Sequence, residues 1–488
     1  MQFRMRFATV LLSVVSGAQL YGGPADTRLA DAVRAGDRTA VRALLAKKAD
    51  VNAAQADGTT ALGWAAQNDD LELAGILLKA GADVKARNRY GVGALAMAVS
   101  NGSAAMAELL IRAGADPNEE QAEGETALMT AARAGSLETV RLLLAHDAKV
   151  NTREKAHGET ALMWAAAGGH TPVVETLIEH GAEVNAHAGA AGYTPSNGGY
   201  LPQTWLPVGG FSALTFAVRG GHPAAAKLLL DKGADVNETL ANGATPLMIA
   251  ILNAHYELAA LLLKNGANPN ADKQGWTPLH QLVWARDPNR HFNLPPAIAT
   301  GRMDSLSLAL LLLEKGADPN ARMAKQPNDG FRNWMNRLGA TPLLLAAKAQ
   351  DAPLMRLLKE HGADASIQTN DHTTVLMAAA GIGYWPAESH GTDEDALEAV
   401  KYALELGGDV NATNDAGFTA LHGAAVQGAN SVVQLLVDGG AKLDARTKKE
   451  NWTALDIANG VFIANTLKVM PQTAVLLRKL MGLPPAGG

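Results

Sequence analysis

Residues 245–270 read Thr245-Pro246-Leu247-Met248-Ile249-Ala250-Ile251-Leu252-Asn253-Ala254-His255-Tyr256-Glu257-Leu258-Ala259-Ala260-Leu261-Leu262-Leu263-Lys264-Asn265-Gly266-Ala267-Asn268-Pro269-Asn270. Thr245 is a good helix N-cap, and proline suits the first helical turn, where no amide donor is required. A short first helix follows, then a second carrying the ridge Leu261-Leu262-Leu263. Gly266 supplies the left-handed residue that ends the second helix. Such a helix pair cannot bury its own apolar side, but stacked neighbours can.

The unit recurs. T-[AP]-L returns at Thr60-Ala61-Leu62, Thr160-Ala161-Leu162, Thr277-Pro278-Leu279-His280, Thr341-Pro342-Leu343 and Thr419-Ala420-Leu421-His422. Turn glycines stand at 81, 114, 181, 233, 316, 362, 407 and 440, with weaker copies of the turn at Lys48 and Asp147. Alanine pairs such as Ala65-Ala66 and Ala165-Ala166 keep the first helix slim. This pattern resembles the ankyrin repeat, G-x-T-P-L-H-x-A-A, then G-H, L-L and G-A-D-V-N, and runs from about Ala25 to Met481. The resemblance implies an all-α solenoid of about twelve helix-turn-helix repeats with short β-hairpin loops. It also implies binding through hairpin tips and inner helices.

Spacing between turn positions divides the array. From position 48 the steps are 33, 33, 33 and 34, then 52, 33, 50, 46, 45 and 33. Four insertions account for the long steps. Two enlarge hairpins, His187 to Gly210 and Met323 to Leu338; two separate paired helices, Arg286 to Arg302 and Gly381 to Thr392. The expected organisation is an N-terminal cap (25–56), plain repeats (57–186), insertion-bearing repeats (187–411), a plain repeat (412–450), a C-terminal cap (451–481) and a flexible tail (482–488). Insertions at both edges would wall in the groove of the inner helices, giving a pocket or cleft between Phe211 and Phe418.

Aromatic and basic residues populate that region. Trp205, Phe292, Trp334, Tyr384 and Trp385 lie in insertions, while Phe211, Trp276 and Phe418 directly precede an N-cap threonine or serine and Trp284 follows one by seven residues. Rigid aromatic faces dominate binding hot spots. Arg219, Arg286 and Lys348 fall at the ends of inner helices, with Arg290 and Arg337 in nearby insertions; such a set could clamp a carboxylate or phosphate. The competing readings are rings that pin loops to the array and a solvated rim of charge. Trp284→Ala is expected to weaken binding and leave folding nearly intact. Trp64 and Trp164 are read as framework packing.

Charge and composition narrow the function classes. A net charge of −6 without a basic run gives no reason to expect nucleic acid. Arg4 and Arg6, the apolar run Phe7 to Val15 and Ser16-Gly17-Ala18 read as a cleavable secretory leader (1–18), which implies a periplasmic or secreted protein. No later run is long enough to span a membrane. Cysteine is absent, so no disulfide or thiol nucleophile exists. Most of the 13 histidines occupy repeat positions. His390, beside Glu388 and Asp393-Glu394-Asp395, could hold a divalent ion, and the competing reading of the acidic residues is the first turn of the next helix. No hydrolase, nucleotide or metal motif appears, and no cofactor is called for. The expectation is a monomeric, non-enzymatic scaffold binding a protein segment or peptide. Small-molecule or glycan binding in an aromatic and arginine-lined pocket is the alternative, and an insertion-built hydrolase is a weaker one.

Overall fold

The computed structural model describes residues 26–189, 209–286, 298–326, 335–383, 392–463 and 466–484. It divides into two compact units, one ending at Ala122 and the other beginning at Glu123.

The first unit contains α1 (Arg28–Arg34), α2 (Arg38–Ala46), α3 (Ala61–Gln67), α4 (Leu71–Lys79), α5 (Ala94–Ser100) and α6 (Ala104–Arg112). The first helices of each pair, α1, α3 and α5, pack in a row. Leu29, Leu62 and Leu95 are buried between them, while Leu73, Leu77 and Leu110 are buried on the second-helix side.

In the second unit the pairs are α7 (Ala127–Ala134) with α8 (Leu137–Ala145), α9 (Ala161–Ala167) with α10 (Thr171–Glu179), and α11 (Ala213–Gly220) with α12 (Pro223–Asp231). Next come α13 (Pro246–Leu252) with α14 (Tyr256–Lys264), α15 (Pro278–Arg286) with α16 (Ser305–Glu314), and α17 (Pro342–Lys348) with α18 (Ala352–Glu360). The last pairs are α19 (Val375–Ala379) with α20 (Asp393–Glu405), α21 (Ala420–Gln427) with α22 (Asn430–Asp438), and α23 (Ala454–Asn459) with α24 (Pro471–Leu480). Odd-numbered helices pack on one another as one layer and even-numbered helices as the other. The fold is the helical solenoid expected.

Local chemistry explains the repeat. Thr245 Oγ1 accepts the Met248 amide at 3.3 Å, and Thr341 Oγ1 accepts the Leu344 amide at 3.3 Å. His170, His222 and His255 sit at the N-caps of α10, α12 and α14 but do not cap by side chain. Their rings instead meet carbonyls at the ends of preceding first helices: Arg133 at 3.0 Å, Ala167 at 3.0 Å and Arg219 at 3.3 Å. Those carbonyls would otherwise lack helical partners. Gly266 adopts φ +89 with nothing near the place a Cβ would occupy, so backbone conformation rather than space selects glycine there.

The final asparagine of G-A-D-V-N forms a ladder between repeats. Asn237 donates to the Gly266 carbonyl at 3.0 Å and accepts the Asn268 amide at 2.7 Å. Asn151, Asn185, Asn270, Asn320 and Asn411 repeat the arrangement in the second unit, as Asn52 does in the first. Ser366 occupies the equivalent position after Gly362 and bonds locally to Asp364 instead.

The insertions enter where their spacing places them. His187 bridges Ser212, and the Met323 amide donates to the Ala340 carbonyl at 2.9 Å, so these two leave from hairpins. The others join α15 to α16 and α19 to α20. The last repeat departs from the plain unit. Between its two helices runs an antiparallel pair, β1 (Val461–Ile463) against β2 (Thr466–Lys468), with Val461 opposite Lys468. Its second helix starts at Pro471, since proline suits the first turn. Leu467, Val469 and Val475 remain exposed there. The leader segment lies outside the described residues.

Candidate functional site

Two members of the basic set expected from the sequence, Arg286 and Arg337, are built into the fold. Arg286, at the end of α15, grips Asp351 with two bonds, Nε to Oδ2 at 2.5 Å and Nη2 to Oδ1 at 2.9 Å. Its remaining Nη1 donates to Ser305 Oγ. Asp351 Oδ1 also caps α18 through the Leu354 amide at 3.1 Å. One guanidinium therefore ties α15, α16 and α18 together. Arg337 is 2% exposed, with its guanidinium 6.0 Å from the Trp284 ring. Arg219 is the exposed one, 5.5 Å from the ring of Phe211. Lys348 is half-buried at the last turn of α17.

The paired tryptophans are interior. Trp276 and Trp284 are 3% and 8% exposed, with centroids 5.3 Å apart in an edge-to-face arrangement. Trp276 Nε1 donates to Gln281 Oε1 at 3.1 Å, satisfying the indole inside the array. Phe211 is buried against Phe216 at 5.2 Å. The expectation that Trp284 can be removed without structural cost does not survive its burial. Trp64 and Trp164, by contrast, are only half-buried. Arginines lie over both rings, Arg34 at 4.7 Å from Trp64 and Arg133 at 4.6 Å from Trp164. Trp205, Arg290, Phe292, Trp334, Tyr384 and Trp385 lie outside the described residues, as do His291 and His390.

Phe418, a member of the expected set, lines a cavity. A hollow of about 110 Å³ forms beside α21 and α23, bounded by Met335, Asp371, Ile382, Phe418, Trp452 and Val461, among others. Two insertions meet there. Gly381 and Gly383 have φ of +104 and +84, which turns the chain out of the five-residue α19. That chain lies directly on α21: a Cβ on Gly423 would stand 2.8 Å from the Ile382 nitrogen. A Cβ on Gly383 would stand 2.4 Å from that of Met335, so glycine also permits contact with the preceding insertion. Above the shortened helix, Gln350 Nε2 donates to Gln427 Oε1 at 2.9 Å and bridges α17 to α21.

His422 holds both aromatic walls. Its Nδ1 accepts the Thr419 amide at 3.0 Å, and its Nε2 lies 3.1 Å from the Trp452 carbonyl, to which it donates. Phe418 stands edge-to-face to the imidazole at 5.7 Å. Burial lowers the His422 pKa, favouring the neutral ring that this pattern needs. Asn414 Oδ1 accepts the Ala416 and Phe418 amides at 3.1 and 3.0 Å, which shapes the turn before Phe418. At the rim, Asp371 Oδ1 accepts hydroxyls from Thr369 and Thr373. Trp452, outside the expected set, directly precedes the N-cap residue Thr453 as Phe418 precedes Thr419, and that shared position is the signal by which sequence could have found it. Asp371, Ile382, Met335 and Val461 carry no such signal.

A second polar cluster bears on chemistry. Glu238, 6% exposed, receives the hydroxyls of Ser212 and Thr215 on Oε1, while His187 Nε2 lies 3.0 Å from Oε2. Serine activation needs imidazole between hydroxyl and carboxylate. Here the carboxylate stands between them, an order that secures the base of the hairpin. Asp393, Glu394 and Asp395 occupy the first turn of α20, where Thr392 and Asp395 cap reciprocally. Among the described residues no cluster of three metal-ligating side chains occurs, and no helix is long and apolar enough to cross a membrane.

Family comparison agrees with this architecture. The description "Ankyrin repeats (3 copies)" matches residues 29–121, 95–188, 214–323 and 391–468. "Ankyrin repeats (many copies)" matches 162–230, and "Ankyrin repeat" matches 338–370. The chain belongs to the ankyrin-repeat family. It is similar to human ankyrin repeat and SOCS box protein 16, 30% identical over 47% of this chain and 44% of that protein. The mouse B-cell lymphoma 3 protein homolog is 33% identical over 29% of this chain and 34% of its own length. The E3 ubiquitin-protein ligase KEG of Arabidopsis thaliana is 26% identical over 42% of this chain. The chain spans 13% of that ligase and less than half of the other two.

Proposed function

We propose that this ankyrin array is a non-enzymatic interaction scaffold that binds a protein segment or peptide on the first-helix side of its insertion-bearing repeats. The observation that carries the proposal is the convergence of two insertions and two pre-cap aromatics, Phe418 and Trp452, on one hollow. Ankyrin repeats in otherwise different relatives support a partner-binding role. Small-molecule binding is the second reading, favoured by the same walled hollow. An arginine clamp for anions has less support, because Arg286 and Arg337 are built into the array. The proposed location is periplasmic or secreted, following removal of residues 1–18.

The test compares partner capture by the intact chain with a version whose four insertions are cut back to the plain repeat. Loss of one identified partner on trimming, with helicity retained, supports the scaffold at this face. Equal capture by both versions refutes that placement. Sequencing the mature N-terminus checks cleavage after Ala18.

A further inference from the structure

The hollow beside α21 has a definite chemical character. Met335, Ile382, Val426, Ile457 and Val461 supply aliphatic or thioether walls, and Phe418 and Trp452 supply aromatic ones. Asp371 is the one titratable residue among the described residues lining it. Asn414, the other polar side chain, already spends its carbonyl oxygen on two backbone amides and its Nδ2 on Thr373 Oγ1 at 3.2 Å. Among the described lining residues no cationic side chain occurs; Lys448, whose amide bonds the Ala416 carbonyl, is exposed and outside the lining.

We propose that this hollow binds an alkylammonium group, its hydrocarbon against Phe418, Trp452 and the aliphatic walls and its cationic nitrogen at Asp371. A cationic occupant would give the rim carboxylate a counter-charge, whereas an anion would be repelled by it. Aromatic walls favour a cation as well, because the ring faces carry negative charge density. Hydrogen bonds from Thr369 and Thr373 converge on Asp371 Oδ1 and orient the carboxylate. Size agrees. A cavity of about 150 Å³ takes benzene, so one of 110 Å³ takes roughly four or five heavy atoms. That matches the end of a lysine side chain or a short free amine.

The inference rests on the reading of this face as the binding face, and it names what the face recognises. The probe is n-butylammonium, titrated into the full chain and followed by amide chemical shifts. n-Butanol and n-butyrate serve as neutral and anionic controls. Butylammonium is expected to saturate with shifts clustered at Phe418, Val426 and Trp452, at least tenfold more tightly than butanol, with no saturation by butyrate. Asp371→Asn, which preserves the acceptor for the two threonines, should remove that tenfold preference. Val426→Phe, at a half-buried position of the lining, should block both butylammonium and butanol without unfolding the array. A terminally blocked Gly-Lys-Gly peptide separates the two sources of the ligand. Tighter binding than butylammonium assigns the hollow to a protein segment, and weaker binding assigns it to a free amine; both support an alkylammonium site. Equal affinity for butanol and butylammonium, unchanged affinity in Asp371→Asn, or no saturation by any probe overturns the inference. Partner capture retained by Asp371→Asn alongside such a result would leave the scaffold reading standing alone.

Discussion

The asparagine ladder gives a prediction whose size follows from two contacts. Asn320 donates to the Gly362 carbonyl at 3.0 Å and accepts the Asp364 amide at 2.8 Å. Both groups lie at the end of α18, where backbone partners run out. A typical hydrogen bond contributes about 0.5–1.5 kcal/mol net, so Asn320→Ala should cost about 1–3 kcal/mol. The contacts are exposed, and water can replace them, which places the expectation near the lower end. Urea unfolding should show a lower midpoint at unchanged m. Amide exchange offers a local reading, since about 1.4 kcal/mol corresponds to a tenfold loss of protection. The Asp364 amide should lose it, while the amide of Asn268, held by Asn237, should not. Ser366→Asn provides the reverse experiment, because it installs the missing rung toward Gly407 and should stabilise by about 1 kcal/mol. An Asn320→Ala protein within 0.3 kcal/mol of the parent, with Asp364 protection intact, would refute the ladder as a source of stability.

Three further outcomes are expected. Trp284→Ala should destabilise by about 3–5 kcal/mol in urea unfolding, because the ring is buried against Trp276 rather than displayed. Leu143→Ala should cost about 2–5 kcal/mol by the same measurement, since this α8 side chain is fully buried. His280 is fully buried between Thr277 and the Ala340 carbonyl, and burial pushes its pKa down to about 4 from 6.5. The unfolded chain therefore binds the extra proton between those values. The contribution of His280 is fully present above pH 6.5 and is lost as pH falls toward 4, by on the order of 3 kcal/mol in all. A His280→Gln protein should lack that component of the acid sensitivity in unfolding measurements at pH 7 and pH 4.5; parallel pH profiles would contradict it.

The repeat was legible in the linear sequence because its signals are local. Threonine caps, the proline after them and the turn glycine each act within a few residues, and their return at near-constant spacing defines a stack. Spacing also located the four insertions, since a longer step between turns has no other source in an otherwise regular array. The use of particular side chains was not legible. Arg286 and Trp284 look like display residues from their positions, yet Asp351 lies 65 residues from that arginine and Arg337 comes from a later insertion. The hollow depends on contacts of the same kind: Gly423 admitting the Ile382 backbone, and Gly383 admitting Met335. Local propensity says nothing about which loops touch. The sequence by itself determined the solenoid and where its period breaks; only the tertiary structure decided which aromatic and charged groups were consumed in packing. It left Phe418, Trp452 and Asp371 around a hollow because that choice depends on contacts between residues far apart in the chain.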